Sequence, residues 1–550
     1  MTYWNSVLHR RVDRRRALSL FGGGVAGAAF LAACGDDDKA PPTATSSPSN
    51  SKNAGSEEII RGGKLRLGST LDLLGMDPHV IGPNTRPLIG SVLDPLIIHD
   101  GQGNPEGSLG ASWELSADGV TLVFKLRDSV TYHSGRAFTA DDVVWNFDRV
   151  RAAGVPYAQF KQLAEWYPTV QAPDPGTLVL KSDRPRPAVF DYLESFLMAD
   201  RDSIDDRQRV VGTGAWRWVE WRQGESLKLA RNENFWREGL PYLDEITWLV
   251  AVDAQEGLAH LQEEALDGII DPTIFLFSQF QVDPDPNGGS CTCLIPETSN
   301  AVQVMVHPAS GGANAIGVNM RIAPFQDKRV RQALNWALDR EQFAGVIMSG
   351  LVLPSSIPWP EASLAYDSDQ AHRYKFNLEE AAKLLRAANV ADLAITVVAQ
   401  PGDAADFLPV WRHDLGTIGI NLEINTVSAA SFAAELNGRE YGSLWAGPAP
   451  VNSMSAPVST LVQFKELYGG DGDNYSGFAD GRYVDLLEKA QTELDTNTQR
   501  QIYAELNEIQ LDSSHTMILS LNPSRQLLTA NVKYTQPWNY PFSYETTSFA

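Results

Sequence analysis

The sequence predicts an α/β protein, and three observations carry that reading. Short runs of alternating apolar and polar residues, the signature of strands buried on one face, recur between Lys64 and Leu521. Between them lie stretches with apolar residues three and four positions apart, two of them opened by a capping Thr139 or Asn377. Glycines stand where tight turns would join neighbouring strands, at Gly119 and Gly224.

The first 33 residues read as a leader and not as part of the fold. Arg10, Arg11, Arg14, Arg15 and Arg16 precede an apolar run from Ala17 to Ala33, which Cys34 follows directly. Positive residues, a short apolar stretch and small residues before a cleavage point make an export signal. The cysteine makes it a lipoprotein signal, with Cys34 the lipidated first residue and the membrane anchor. Arg15-Arg16 resembles a twin-arginine pair, and twin-arginine and general export both stay open. A membrane span needs about 20 apolar residues, whereas this run has 17, four of them glycine. Gly22, Gly24 and Gly27 match a dinucleotide-binding spacing, but they lie inside the leader, without the βαβ unit that motif requires. Residues 34–61, rich in Asp, Pro, Ser and Thr, have no apolar periodicity and read as a disordered tether.

Five arginines and one aspartate leave with the leader, which takes the formal charge from −23 to −27 over the remaining 517 residues. Such acidity argues against nucleic acid as a partner and favours solubility. The length suggests about three domains. Cys291 and Cys293 sit in a Gly-Gly-Ser-Cys-Thr-Cys stretch and read as two thiols or a strained loop disulfide; a metal would need further ligands near by.

In chain order, Lys64–Leu67 alternates as a strand, and Ala117-Asp118-Gly119 turns a hairpin into Thr121–Leu126. Thr139 with Asp142 forms a capping box ahead of Val143, Phe147 and Val150 on one helical face. Thr177–Ser182 is a strand. Trp216 and Trp218, two apart, share a strand face opposite Arg217 and Val219, with a turn at Gly224. Glu245–Val250 reads as a strand and Asp253–Leu266 as a helix. Residues 281–313, rich in Pro, Gly, Ser and Asn, read as loop. Val330, Leu334, Ala337 and Leu338 stripe a helix, and Asn377 with Glu380 caps another through Leu384 and Leu385. Ile395–Val398 and Leu422–Val427 are strands flanking a helix that ends near Gly419. Two amphipathic helices, Tyr483–Leu494 and Arg500–Leu511, precede a last strand at Thr516–Leu521. No internal repeat is visible.

Several stretches together resemble the family 5 extracellular solute-binding proteins, the peptide/nickel type that feed ABC importers. Residues 212–246 (GTGAWRWVEWRQGESLKLARNENFWREGLPYLDEI) follow that family's GTGPY, R-N-x-x-Y/F-W and P-Y-L-D pattern. Residues 93–149 follow its D-P-L, S-W-E-x-S-x-D-G and F-H-x-G-x-x-F-T-A-x-D-V run, and Met76-Asp77-Pro78-His79 its L-D-P-H turn. Residues 323–334 (APFQDKRVRQAL), continued by Asp339-Arg340, match P-P-F-x-D-x-R-V-R-x-A-L and D-R. The resemblance implies a two-lobed, periplasmic-binding-protein-like α/β fold (type II, cluster C-like) with a subdomain inserted in lobe one. Lobe one would comprise 62–98, 212–315 and 515–550, the insertion 99–211, and lobe two 316–514. It places His133 in a structural turn.

No G-x-S-x-G, H-E-x-x-H or G-x-x-x-x-G-K-[ST] is present, and the nine histidines lack metal-ligand spacing, so binding is favoured over catalysis and no cofactor is expected. Asp403 and Asp406 read as a solvated helix start. The resemblance implies a monomer that traps a peptide-like or other small solute between lobes closing about a hinge, and passes it to a permease with its ATPase. A ligand-binding sensor or chaperone-like protein on the same fold, or an extracellular enzyme, are the alternatives. The resemblance places the ligand near Trp445, for which core packing is the other reading. Pro450, Val451 and Asn452 stand where peptide binders carry an aspartate for the α-ammonium, leaving Asn452 as the polar candidate. Trp359 and Tyr366 are further aromatic candidates, and Arg321 a candidate for an anionic group.

Overall fold

The computed structural model describes residues 59–550, apart from 81–85, 100–103, 153–157, 271–288, 308–311, 450–474, 535–543 and a few shorter stretches. Two large sheets and one smaller sheet organise the described residues.

The larger sheet has eight strands, in the order 289–294, 301–307, 524–529, 268–270, 64–69, 245–249, 226–231, 216–222. Its centre is parallel, Lys64–Ser69 pairing with both Glu245–Leu249 and Gly268–Ile270. The tryptophan-rich stretch is its edge hairpin: Trp216–Arg222 pairs antiparallel with Ser226–Arg231, and Gly224 turns it at φ 75°. Trp216 and Trp218 are buried while Arg217 and Val219 are exposed, as period-two patterning requires. Trp216 joins Leu65, Leu67, Leu229, Ile246 and Trp248 in one apolar cluster, so the aromatic face is packing.

The strip ahead of this hairpin is held from several sides. A Cβ at Gly212 would lie 2.0 Å from the Val92 carbonyl oxygen, and one at Gly214 2.6 Å from that of Ser91, so only glycine fits either position. That close approach lets the Gly214 N–H donate to Val92 O at 3.0 Å and the Trp216 N–H to Ser91 O at 3.1 Å. The Thr213 hydroxyl and the Trp236 indole N–H both donate to the Asp94 carboxylate, at 2.8 and 3.0 Å. Asn232 donates to Gly214 O at 2.9 Å. His133 closes the knot: its N–H donates to Gly212 O at 2.8 Å, and its ring bridges Gly214 O (2.9 Å) and the Gly212 N–H (3.3 Å).

The smaller sheet has four strands, 110–115, 121–126, 177–181 and 169–174; helix Ala140–Arg151 packs on it and helix Ala158–Trp166 packs on that helix. The Asp142 carboxylate accepts from the Thr139 N–H at 2.9 Å, as the capping box predicts, and also pairs with Arg136 at 2.7 Å.

The third sheet has six strands, in the order 353–354, 516–521, 313–318, 444–449, 393–399, 420–426. Helices Lys328–Trp336, Leu378–Ala387 and Asp403–Thr417 share one apolar cluster with one of its faces. Arg331 and Arg340 of the Ala323–Arg340 motif are buried. Arg340 donates to the carbonyls of Ile518, Ser355 and Tyr374 and to the Asn335 side chain.

Two expectations fail here. Residues 289–294 and 301–307 are a paired hairpin in the eight-stranded sheet, where loop was expected. Val302, Val304 and Val306 alternate as strand residues do, a pattern obscured by the Pro- and Gly-rich sequence around them. Cys291 and Cys293 stand opposite Val304 and Val302 in this hairpin, which removes the loop premise for a ring between them. Thr516–Leu521, expected to return the chain to lobe one, instead pairs with 313–318 in the six-stranded sheet; the next strand, Ser524–Thr529, joins the eight-stranded sheet.

His133 generates a pH prediction. Its hydrogen bonds suit one tautomer, with Nε2–H donating to Gly214 O and Nδ1 accepting from Gly212. A second proton on Nδ1 would face an N–H, and burial already holds the imidazole down to about 4. A folded-state value below the ordinary 6.5 means that this stability is complete above pH 6.5 and drains as pH falls towards 4. The span corresponds to roughly 3 kcal/mol. In His133→Gln, the Tm deficit relative to wild type should be largest at pH 7 and shrink steadily towards pH 4.5. A deficit independent of pH would refute the assignment.

Candidate functional site

Strands 393–399, 420–426 and 444–449 run parallel, so Ala399, Thr426 and Ala449 end on one edge of the six-stranded sheet. Strand 313–318 begins on that edge and 516–521 ends there, since Ala313 stands opposite both Ala449 and Leu521. From this edge the chain crosses twice between the large sheets, from 301–307 into 313–318 and from 516–521 into 524–529. The two crossings lie side by side: the Asn522 N–H donates to Gly312 O at 2.8 Å, and His307 pairs in register with Ser524. Ligands of α/β sheets bind beyond the carboxyl ends of the strands, and between domains. This edge is therefore the candidate site.

The polar groups of the edge come from both large sheets. The Asn314 amide donates to Asn522 Oδ1 at 3.0 Å and to Ser520 Oγ at 3.3 Å, and Ser520 Oγ donates to Asn522 Oδ1 at 2.8 Å. Arg525, on the eight-stranded sheet, reaches Asp403 at the start of helix Asp403–Thr417 on the six-stranded sheet, 3.4 Å apart with both side chains largely covered. Asp403 is thus an ion-pair member and not the solvated helix start expected from sequence. Asp406, one turn on, is exposed as the sequence reading expected, and its carboxyl is raised by partial desolvation and by the Asp403 charge. Among the described residues, no group of three or more His, Cys, Asp or Glu is placed to hold a metal.

The expected site residues are dispersed. Trp445 is 1% exposed, near the start of its strand and not at the ligand-facing edge. Its indole lies over Gly317, where a Cβ would come within 2.0 Å of Nε1, and Phe432 meets it edge-on at 6.5 Å. Trp359 is fully buried and donates to Asn507 Oδ1 at 2.8 Å, a core role. Tyr366 is half-buried at the margin of the same apolar cluster, and its phenol is raised by burial. Arg321 follows the far end of strand 313–318, donates to Tyr475 O at 2.5 Å and packs on Gly477, away from the edge. Asn452, Cys34, Arg15 and Arg16 lie outside the described residues. Asp403, Arg525 and Asn314 are the edge residues that sequence reasoning missed. Gly402-Asp403 directly after a strand was a usable sign of a helix start at a strand's carboxyl end; nothing local marks Arg525.

Comparison with known proteins decides the family. A profile described as bacterial extracellular solute-binding proteins, family 5 middle, matches residues 104–465. The chain belongs to this family. Heme-binding protein A of Haemophilus influenzae is 27% identical over 315 residues, 52% of this chain and 54% of that protein. Glutathione-binding protein GsiB of Pectobacterium atrosepticum is 28% identical over 344 residues, 60% of this chain and 62% of that protein. The chain thus spans between half and two thirds of the length of these relatives. The oligopeptide-binding protein AppA of Bacillus subtilis, solved with a nonapeptide, superposes with TM-score 0.74 at 20% identity, over 90% of this chain and all of that one. That likeness shows the two-lobed, periplasmic-binding-protein-like α/β fold, as the motifs implied.

The burial of Trp445 sets an expectation for this family member. Trp445→Ala should cost about 3–5 kcal/mol, the range for a fully buried tryptophan. Gly317→Ala should also lower Tm, because its methyl would displace the indole. Denaturant unfolding of both variants checks this, and a Trp445→Ala curve within 1 kcal/mol of wild type would show that the indole is not core (about the floor for measured core truncations).

Proposed function

We propose that this solute-binding protein is an extracytoplasmic, lipid-anchored monomer that captures a peptide-like or other small solute between its lobes and delivers it to an ABC permease. The observation that carries the reading is the pair of adjacent crossings between two large sheets, which gives two bodies a common hinge beside the carboxyl ends of the parallel strands. Closure about such a hinge is biased only by contacts made in the closed state and missing in the open one, which is how bound solute would be signalled to a permease. The lobes are taken as those drawn from sequence, with the exit from lobe one moved from 315 to the Gly312 crossing and the final return from 515 to the Asn522 crossing; strands 110–181 are assigned to the insertion.

The relatives' names, with heme, glutathione and a nonapeptide among them, support a broad class of small solutes. Pro450 and Asn452 in place of an aspartate favour a ligand without a free α-ammonium at that point, since a buried ammonium needs an anion. Native mass spectrometry of the protein as purified, followed by thermal shift with di- and tripeptides both free and N-acetylated, glutathione and heme, tests capture. A mass excess removable by denaturation, or a ligand-dependent rise of several degrees in Tm, is expected. No retained mass and no shift with any of these would count against a peptide-like solute. For the anchor, Cys34→Ala should move the protein from the membrane to the soluble fraction; continued membrane retention would overturn lipidation.

A further inference from the structure

The inserted four-stranded sheet also touches the opposite body. Its first hairpin turns at Gly119, which is buried at φ 69°. A Cβ built there would lie 3.1 Å from Leu494 Cδ2 and 3.0 Å from Pro185 Cβ, so the leucine methyl rests on the glycine itself. Leu494 lies in the connection between helices Gly481–Ala490 and Thr496–Ser513 and is still 46% exposed, a rim position and not a core one.

Each side of this contact is fixed to a different large sheet. The hairpin's subdomain is tied to the eight-stranded sheet through the His133 bonds to Gly212 and Gly214. Helix Thr496–Ser513 is tied to the six-stranded body by Arg331 to Ser513 O (2.7 Å), Trp359 to Asn507 (2.8 Å) and Tyr374 to Leu511 O (2.8 Å). The two sheets are joined covalently at the Gly312 and Asn522 crossings. Rotation about those crossings changes least the contacts beside them, and the Leu494 contact is carried by elements that contain neither crossing.

We infer that Leu494 against Gly119 and Pro185 is a clasp between the inserted subdomain and the opposite lobe, made in the closed state and broken on opening. The inference rests on the two-lobed capture reading, but its test uses no ligand, so the two can fail separately. Through the clasp the insertion adds apolar closing energy without touching solute. Leu494 is the exposed rim of this contact, seated on a glycine turn at positive φ.

The test replaces Pro185 and Leu494 by cysteine, with Cys291→Ser and Cys293→Ser removing the other thiols of the mature chain's folded part, and adds a short bis-maleimide. Expected is intramolecular cross-linking, with the linked protein giving a smaller radius of gyration by solution scattering than the unlinked protein. In parallel, Leu494→Asp, which sets a carboxylate beside the Asp118 turn, should raise the radius of gyration or accelerate digestion between the lobes, with Tm within a few degrees of wild type. Leu494→Met should behave as wild type. Failure to cross-link would overturn the contact. Cross-linking with identical scattering before and after, and no effect of Leu494→Asp, would make the contact permanent and overturn the clasp.

Discussion

The structure depends on how closely the chain at Gly212–Trp216 can approach the backbone at Ser91–Val92. Two glycines make that approach sterically possible, and backbone hydrogen bonds make it favourable. Thr213, Trp236, Asn232 and His133 then occupy the remaining polar groups around it. The Asp94 carboxylate shows the electrostatic side. Burial raises it, and the Trp236 and Thr213 donors pull it back, so two neutral hydrogen bonds stand in for an ion pair. Residues from four separate stretches meet here, and the insertion, the edge hairpin and the parallel centre of the sheet are positioned by one knot.

The six-stranded body is organised by a comparable constraint with charged groups. Arg340 is fully buried, and burial lowers it to about 10, which leaves it protonated at neutral pH. Its donors go to backbone carbonyls and the Asn335 amide. A buried cation without these acceptors would be costly, so the carbonyls of Ser355, Tyr374 and Ile518 have to stay where they are. Arg331 does the same for Phe325 and Ser513. Both tie separate segments of this body together.

Much of this was legible in the sequence, for a physical reason. Motif residues such as Gly212, Asn232, Trp236, Arg331 and Arg340 were legible through the family pattern they match, and the fold shows the roles that hold them there. The period-two signal of Trp216 and Trp218 was strong because one face is apolar and the other bears Arg217 and Val219 at the surface. Residues 301–307 were misread because their alternation is short and flanked by turn formers. The candidate site was the least legible part. For Trp445 the resemblance offered ligand contact and the residue type offered core packing, and only the fold shows the indole buried over Gly317. Arg525 and Asp403 are 122 positions apart and meet only through topology.

The placement of charge and apolar contact relative to the crossings separates what can report a ligand from what cannot. The Arg525–Asp403 pair joins the two sheets beside the proposed hinge axis, where rotation would change distances little. Its Coulombic attraction therefore falls slowly with opening and cannot by itself distinguish open from closed. Such a pair would hold that axis in place and oppose shear. Discrimination must come from interactions that vanish within an ångström or two of separation, namely apolar contacts and hydrogen bonds far from the axis. A ligand between the lobes supplies these when present. If the free protein supplied too many, it would stay closed without cargo, because a ligand shifts the equilibrium only by its differential affinity. A half-exposed leucine at the rim of the proposed contact adds on that scale, about 1 kcal/mol of burial.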